Sequence, residues 1–429
     1  MRRTAYQFLA SSVALLILYA IVRLLGGLNF LGADPLAALP FQQIDAFGRV
    51  LLDLAVLGGL LGGGLYIGAE AAVSVAPLSE RLSRVALIIW VIGLALIVIG
   101  GFFGVLGGSH GRELPALLSL IVIAVVVLVI VAAARAWDSW TAIAVVWTAA
   151  MILVVIARLI AFVPAADFDS EIVLTTLSVG LRINIGYALA SAALIFWLMR
   201  RFSAVMPLWA EMGMYTVAGL LALAGALLTL AGLQTALPSD ALRAIGTIAA
   251  FAVPLLYLIF AAHAYNAFSQ RSPNVTLSAH WTALAVVLLT GASILGGLAA
   301  YPGVRLWIAG TLVDELQPAL MLLAFAAVIL GMANQVSADL RGENRRITGF
   351  IPFWLAAFGM IGGGLALLGA GVVQVYLERL LSVGFLETQT LIIPLYSLWW
   401  AGLVGFALAL LVYALAFWLR RPRFDGSRG

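Results

Sequence analysis

Long apolar runs separated by short polar breaks make up almost the whole chain, and within each run the apolar character is continuous rather than alternating. The pattern predicts helices near 7–28, 48–76, 84–106, 114–135, 139–163, 176–200, 207–233, 240–268, 277–300, 308–336, 347–373 and 391–420. Roughly 20 apolar residues in a helix cross a hydrocarbon core of about 30 Å. A membrane β-barrel would instead show short segments of alternating polarity. The breaks carry turn chemistry, as in Gly32-Ala33-Asp34-Pro35, Gly107-Gly108-Ser109-His110-Gly111, Ser272-Pro273-Asn274 and Arg341-Gly342-Glu343-Asn344. None is long enough for a soluble module. Residues 1–429 therefore read as a single transmembrane domain, an all-α polytopic bundle of about 12 helices. The apolar stretch after Arg2 and Arg3 has no small-residue cleavage site and reads as the first helix.

Composition sharpens this picture. The chain is 64% hydrophobic and 10% charged, far from the roughly 25% charged residues of soluble domains. With no cysteine, disulfides, thiolate metal ligands and iron–sulfur clusters are excluded. All 23 basic residues are arginine. With the N-terminus inside, one set of breaks holds Arg2, Arg3, Arg81, Arg84, Arg135, Arg200, Arg201, Arg271, Arg341, Arg345, Arg346 and the C-terminal arginines. The other set holds only Arg112, Arg243, Arg305 and Arg379, with Asp34, Asp45, Asp167, Asp169 and Glu171. That asymmetry predicts both termini in the cytoplasm and a cell (inner) membrane location. The basic pI follows from topology and does not point to nucleic acid. The acidic outer loops, 29–47 and 164–175, read as solvated connectors or as a surface for a basic partner. No internal repeat of the kind found in many transporters is visible.

Several short segments, taken in order, carry a resemblance. The eleventh helix reads Phe353-Trp354-Leu355-Ala356-Ala357-Phe358-Gly359, followed by a Gly-rich stretch to Gln374. Thr235-Ala236-Leu237-Pro238 leads into the eighth helix with Ile245-Gly246, Leu277-Ser278 opens the ninth, and Phe47-Gly48-Arg49 opens the second. This set, with the helix count, resembles the catalytic subunit of heme-copper oxidases, in particular the cbb3-type oxidases and nitric oxide reductases. The resemblance implies that family's bundle over the whole chain, with hemes and copper held by histidines in the outer part of the membrane. The positions it assigns to those ligands are occupied here by Asp53 or Leu54, Arg182, Leu230 and Ala231, and Asp314 and Leu316. Heme iron and copper need imidazole or similar donors; Leu and Ala cannot substitute, and Arg is a cation that would repel a metal. The expectation is a scaffold that has lost its redox centres, with no cofactor, no catalytic residue and no metal site; a single heme on unusual ligands is the remaining oxidase-like alternative.

Three histidines remain. His110 reads as a solvated loop residue. His263 and His280 flank one predicted inner turn and form a weak candidate pair, hydrogen-bonded or interfacial histidines being the plainer account. Charged side chains inside membrane helices are costly and usually pair within the protein. Asp53, Arg182, Asp314 and Glu315 form the candidate cluster, with Glu70, Arg158 and Glu211 nearer helix ends. The sharp expectation is that Arg182 pairs with Asp53 or Asp314 in an emptied cofactor cavity. The bland one is that the two acids of the tenth helix sit at its N-terminus for dipole reasons and that Asp53 is interfacial. Gly58-Gly59, Gly62-Gly63-Gly64 and Gly362-Gly363-Gly364 read as sites of close helix approach. Two functions follow. One is a non-catalytic scaffold or assembly subunit, with other membrane or electron-transfer subunits and the bilayer as partners. The other is an ion or small-solute transporter that uses the charged cluster.

Overall fold

Within a bilayer every backbone N–H and C=O must be satisfied inside the chain, which leaves helices as the way to use such apolar runs. The computed structural model describes residues 1–28, 31, 41–72, 74–103, 114–137, 141–202, 210–237, 239–269, 277–309, 311–341, 349–420 and 422. The described residues form helices and no strand. In chain order they are α1 (Arg2–Leu28), α2 (Phe41–Ala71), α3 (Pro77–Phe102), α4 (Ala116–Ala134), α5 (Ala142–Ile160), α6 (Phe168–Val179), α7 (Ala188–Phe202), α8 (Ala210–Gly232), α9 (Asp240–Ser269), α10 (Leu277–Ala300), α11 (Pro302–Ile308), α12 (Leu312–Arg341), α13 (Phe350–Val375) and α14 (Phe385–Leu419). A π-helical segment, Gly180–Tyr187, joins α6 to α7 into one long span. The described residues contain 12 helical spans long and apolar enough to cross a membrane. The protein is an integral, multi-pass membrane protein. His110 and the side chain of Glu211 lie outside the described residues, as do residues 29–30 and 32–40 of the first long loop.

The expected boundaries hold to a few residues for most spans and shift at three places. The second and third helices start about two turns earlier than expected, at Phe41 and Pro77; the third does so because Pro77 sits at its first position, where its missing N–H costs nothing. The sixth span starts at Phe168 because Asp167 caps it: its carboxylate accepts from Ser170 N at 2.8 Å, while Ser170 Oγ accepts from Asp167 N at 3.0 Å. The short α11, opened by Pro302, stands where a loop was expected and carries Arg305.

The spans differ in how much they bury. α2 is buried along its whole central stretch, and the α6–α7 span and α12 nearly so, whereas α3 and α9 expose most of theirs. α2 packs against α1, α12, α4 and α7 and forms the centre of the bundle. Its glycines act mainly as sockets for neighbouring side chains, not as backbone contacts. A Cβ on Gly64 would lie 2.1 Å from the Trp147 ring, and the Trp147 indole donates to Leu60 O at 3.0 Å. Gly62 alone in that run meets backbone, at Ala5 O. True backbone approach occurs between α13 and α14, where a Cβ on Gly359 would be 2.6 Å from Gly402 O.

Candidate functional site

The sequence of α2 places one acid, Asp53, in an otherwise apolar helix, and the fold surrounds it with two arginines from different helices. Asp53 is 7% exposed, Arg158 of α5 2% and Arg182 of the π segment 4%. Arg158 Nη2 donates to Asp53 Oδ2. Arg182 Nε lies 3.2 Å from Asp53 Oδ1, an ion-pair distance at which its N–H is not directed along a hydrogen bond. Tyr187, fully buried, donates to Asp53 Oδ1 at 3.1 Å.

The π segment explains why Arg182 and Tyr187 meet the same carboxylate. In an α-helix residues five apart point roughly 140° from each other. A π-helix closes its hydrogen bonds at i to i+5 and brings such residues back toward one face. Close packing then brings the partners in. A Cβ on Gly186 would lie 2.8 Å from Val154 on α5, and a Cβ on Gly225 of α8 would lie 2.3 Å from Asn184 O.

This triad sits at the inner end of a cavity of about 860 Å³ lined from α1, α2, α5, α6, the π segment, α8, α10, α11, α12, α13 and α14. Its charged lining comprises Arg23, Arg49, Arg158, Arg182 and Arg305 against Asp45, Asp53, Glu171, Asp314 and Glu315. Between them stand apolar groups such as Ile172, Val179, Leu228 and Leu322. Nearer the rim, Asp45 is shared by Arg23 and Arg49, the latter at 2.8 Å. Arg49 lies 3.9 Å from Glu315, and Arg305 Nη1 donates to Asp314 Oδ1 at 2.5 Å. The exposed Phe168 marks one edge of the mouth.

All four members of the expected cluster line this one space. Arg182 pairs with Asp53, the first of its two expected partners. Asp314 is instead held by Arg305, because α11 turns its arginine back over the start of α12. Arg158 is the residue that sequence reasoning undervalued. It lies two residues from the end of α5, but the capped start of α6 carries the next helix beyond it and keeps it buried. No periodic signal in the sequence marks this. Asp53 is the shared anion of a buried triad.

At the opposite end of α2 a second network forms. Arg201 pairs with Glu70 and lies 3.7 Å from Asp339, and its guanidinium stacks 5.0 Å from the Trp197 ring centroid. Trp197 donates to Glu70 at 3.0 Å and Tyr66 donates to Asp339 at 3.2 Å. Between the two networks α2 runs from Leu54 to Leu65 with only apolar, buried residues.

The cavity wall lacks the imidazole and thioether donors that usually hold heme iron and copper, and its only aromatic hydroxyls are those of Tyr19 and Tyr396. No His, Met or Cys is among the lining residues, and Asp45, Asp53 and Asp314 are each engaged by arginine. His280 lies on α10 sixteen residues before Gly296, the first residue of α10 on the cavity wall, which is about 24 Å along a helix. The His263 ring packs against Phe196 and the His280 ring against Phe350 and Phe353, so the two rings contact different helices. No group of three or more His, Cys, Asp or Glu side chains suited to a metal ion occurs among the described residues.

What this arrangement can do chemically is bind. It offers buried cations, hydrogen-bond donors and an apolar wall in a space the size of a ligand pocket. No family model matches the chain, and no curated protein matches it.

Proposed function

We propose that this membrane protein uses a scaffold resembling the oxidase catalytic subunit, without its redox centres, to hold a small ligand in the cavity around Asp53, as a binding or transport protein. The observation that carries this reading is the cavity of about 860 Å³ and its ten charged side chains, five basic and five acidic. A purely structural subunit gains nothing from such a space. Voids forfeit packing contacts, and each partly buried ion carries a desolvation cost. Pockets that bury small ligands run to roughly 300–1,000 Å³. The arginine distribution supports an inner-membrane protein with both ends in the cytoplasm, the cavity facing outward. The apolar stretch of α2 and the Glu70–Arg201–Asp339 network close the other side, so transport requires a second conformation in which that network parts.

A scaffold role in an electron-transfer complex is the second reading. Asp167 and Asp169, both exposed beside the cavity mouth, support it by offering a seat for a basic partner.

The cysteine-free chain makes a direct test simple. Thr176→Cys on the cavity wall and Ser191→Cys, 0% exposed in the core, are treated in intact cells with a membrane-impermeant thiol reagent. The binding reading expects modification at 176 and none at 191. Equal protection of both positions refutes an outward-facing cavity. A reduced-minus-oxidised spectrum of the purified protein tests the redox part, and heme bands at one per chain would overturn it.

A further inference from the structure

The charge arrangement at the inner end of the cavity is incomplete. Asp53 is one carboxylate, and its two oxygens already serve Arg158, Arg182 and Tyr187. Arg182 therefore holds only part of an anion. Its guanidinium, 4% exposed and on the cavity wall, donates no hydrogen bond to any described protein group, and Nη1 is buried without a partner. A buried ion in this condition has its desolvation cost only partly offset. Seven residues earlier on the same span, the Thr175 hydroxyl also lines the cavity, buried and without a partner. Ile172 and Val179, on the same stretch of α6 as Thr175, add apolar groups to this wall.

We propose that the ligand presents an oxyanion, a carboxylate or phosphate group, to the inner end of the cavity, where Arg182 receives it and Thr175 adds a neutral donor. The inference rests on the binding-cavity reading and specifies its ligand. A guanidinium presents a planar fork that matches the two oxygens of such a group. The incoming charge completes the neutralisation that Asp53 begins. The remaining wall, part apolar and part paired charge, accepts either a small solute or the head of an amphiphile.

The test uses the full-length protein in nanodiscs of zwitterionic lipid only. Unfolding is followed by tryptophan fluorescence while acetate, inorganic phosphate or dodecanoate is titrated at constant ionic strength against chloride. Dodecanol serves as the uncharged control. The expected result is a saturable stabilisation by at least one oxyanion. Arg182→Gln should weaken that binding roughly ten- to a hundredfold, the range for loss of a charge-assisted hydrogen bond, and Thr175→Val should weaken it less. Stabilisation by acetate or phosphate identifies a free solute; stabilisation by dodecanoate alone identifies an amphiphile. Should Arg182→Gln yield no folded protein, Arg182→Lys is read instead, since a point charge without the fork binds an oxyanion less well. Oxyanion binding unchanged in these variants overturns the proposal. So does binding of dodecanol with no preference for dodecanoate, an outcome that leaves the cavity reading intact. Failure of the Thr176→Cys modification removes the cavity reading itself.

Discussion

Replacing Asp53 by alanine should be among the most damaging single changes in the bundle. The substitution strips the shared anion from two guanidiniums that are 2% and 4% exposed and leaves the fully buried Tyr187 hydroxyl without its acceptor. Breaking a buried ion pair by removing one partner costs roughly 3–5 kcal/mol, and an orphaned buried hydroxyl adds about 1 kcal/mol. Arg182 lies on the cavity wall, so water offsets part of the loss, and the expected total is about 3 kcal/mol. Reversible unfolding in mixed micelles, read by fluorescence of the 12 tryptophans, measures it. The double variant Asp53→Leu/Arg158→Leu removes one charge of each sign and should be more stable than Asp53→Leu alone, because apolar replacement of a whole buried pair is often neutral. A loss below about 1 kcal/mol for Asp53→Ala would put the pair in the range of surface ion pairs. That result, or a double variant no better than Asp53→Leu, would refute the account of a buried, mutually dependent triad.

Smaller effects should follow the same geometry. Tyr187→Phe loses one buried hydrogen bond and should cost about 1 kcal/mol in the same assay. Gly64→Ala places a Cβ 2.1 Å from the Trp147 ring and should cost about 1–3 kcal/mol by overpacking; Gly64→Ala combined with Trp147→Phe should recover part of it. Arg201→Ala, whose side chain is 36% exposed, should cost no more than about 1 kcal/mol after solvent screening. At Asp167, the backbone N–H and hydroxyl of Ser170 hold the carboxyl below the usual carboxylate range. Its cap is therefore present above the unfolded pKa and lost as pH falls through the lowered folded value, and faster amide exchange at Ser170 in acid, absent in Asp167→Asn, would show it.

The twelve spans were legible because the bilayer leaves one solution for apolar runs of this length, and the ninth was expected at the very residues it occupies, 277–300. Boundaries slipped where capping outweighed hydropathy, at Pro77 and Asp167. The gathering of Asp53, Arg182, Asp314 and Glu315 around one space followed from their depth along separate helices. Their pairing did not. Which arginine reaches which acid depends on α11, invisible as a seven-residue helix in a loop, and on the π segment, whose sequence GLRINIGY carries no periodicity that distinguishes it from α-helix. The glycine runs of α2 were legible as small-residue faces, but what fills them, Trp90, Ile329, Leu194 and Trp147, comes from four other helices, three of them distant in sequence.

The uninterrupted stretch of α2 from Leu54 to Leu65 also has an electrical meaning. Twelve helical residues span about 18 Å. With the cavity open to the outside, as proposed above, water filling it would carry the outside potential down to Asp53, and the membrane voltage would fall mainly across this segment. A full elementary charge crossing that drop exchanges about 2.3 kcal/mol per 100 mV. In that orientation an anion travelling from the mouth to Arg182 would cross little of the field, and its binding should be nearly indifferent to membrane polarisation. Any step past Leu54 meets almost the whole of it. Occupancy of the proposed site would then follow concentration rather than voltage, and the apolar stretch of α2 would separate the charged cluster from the far side of the bundle.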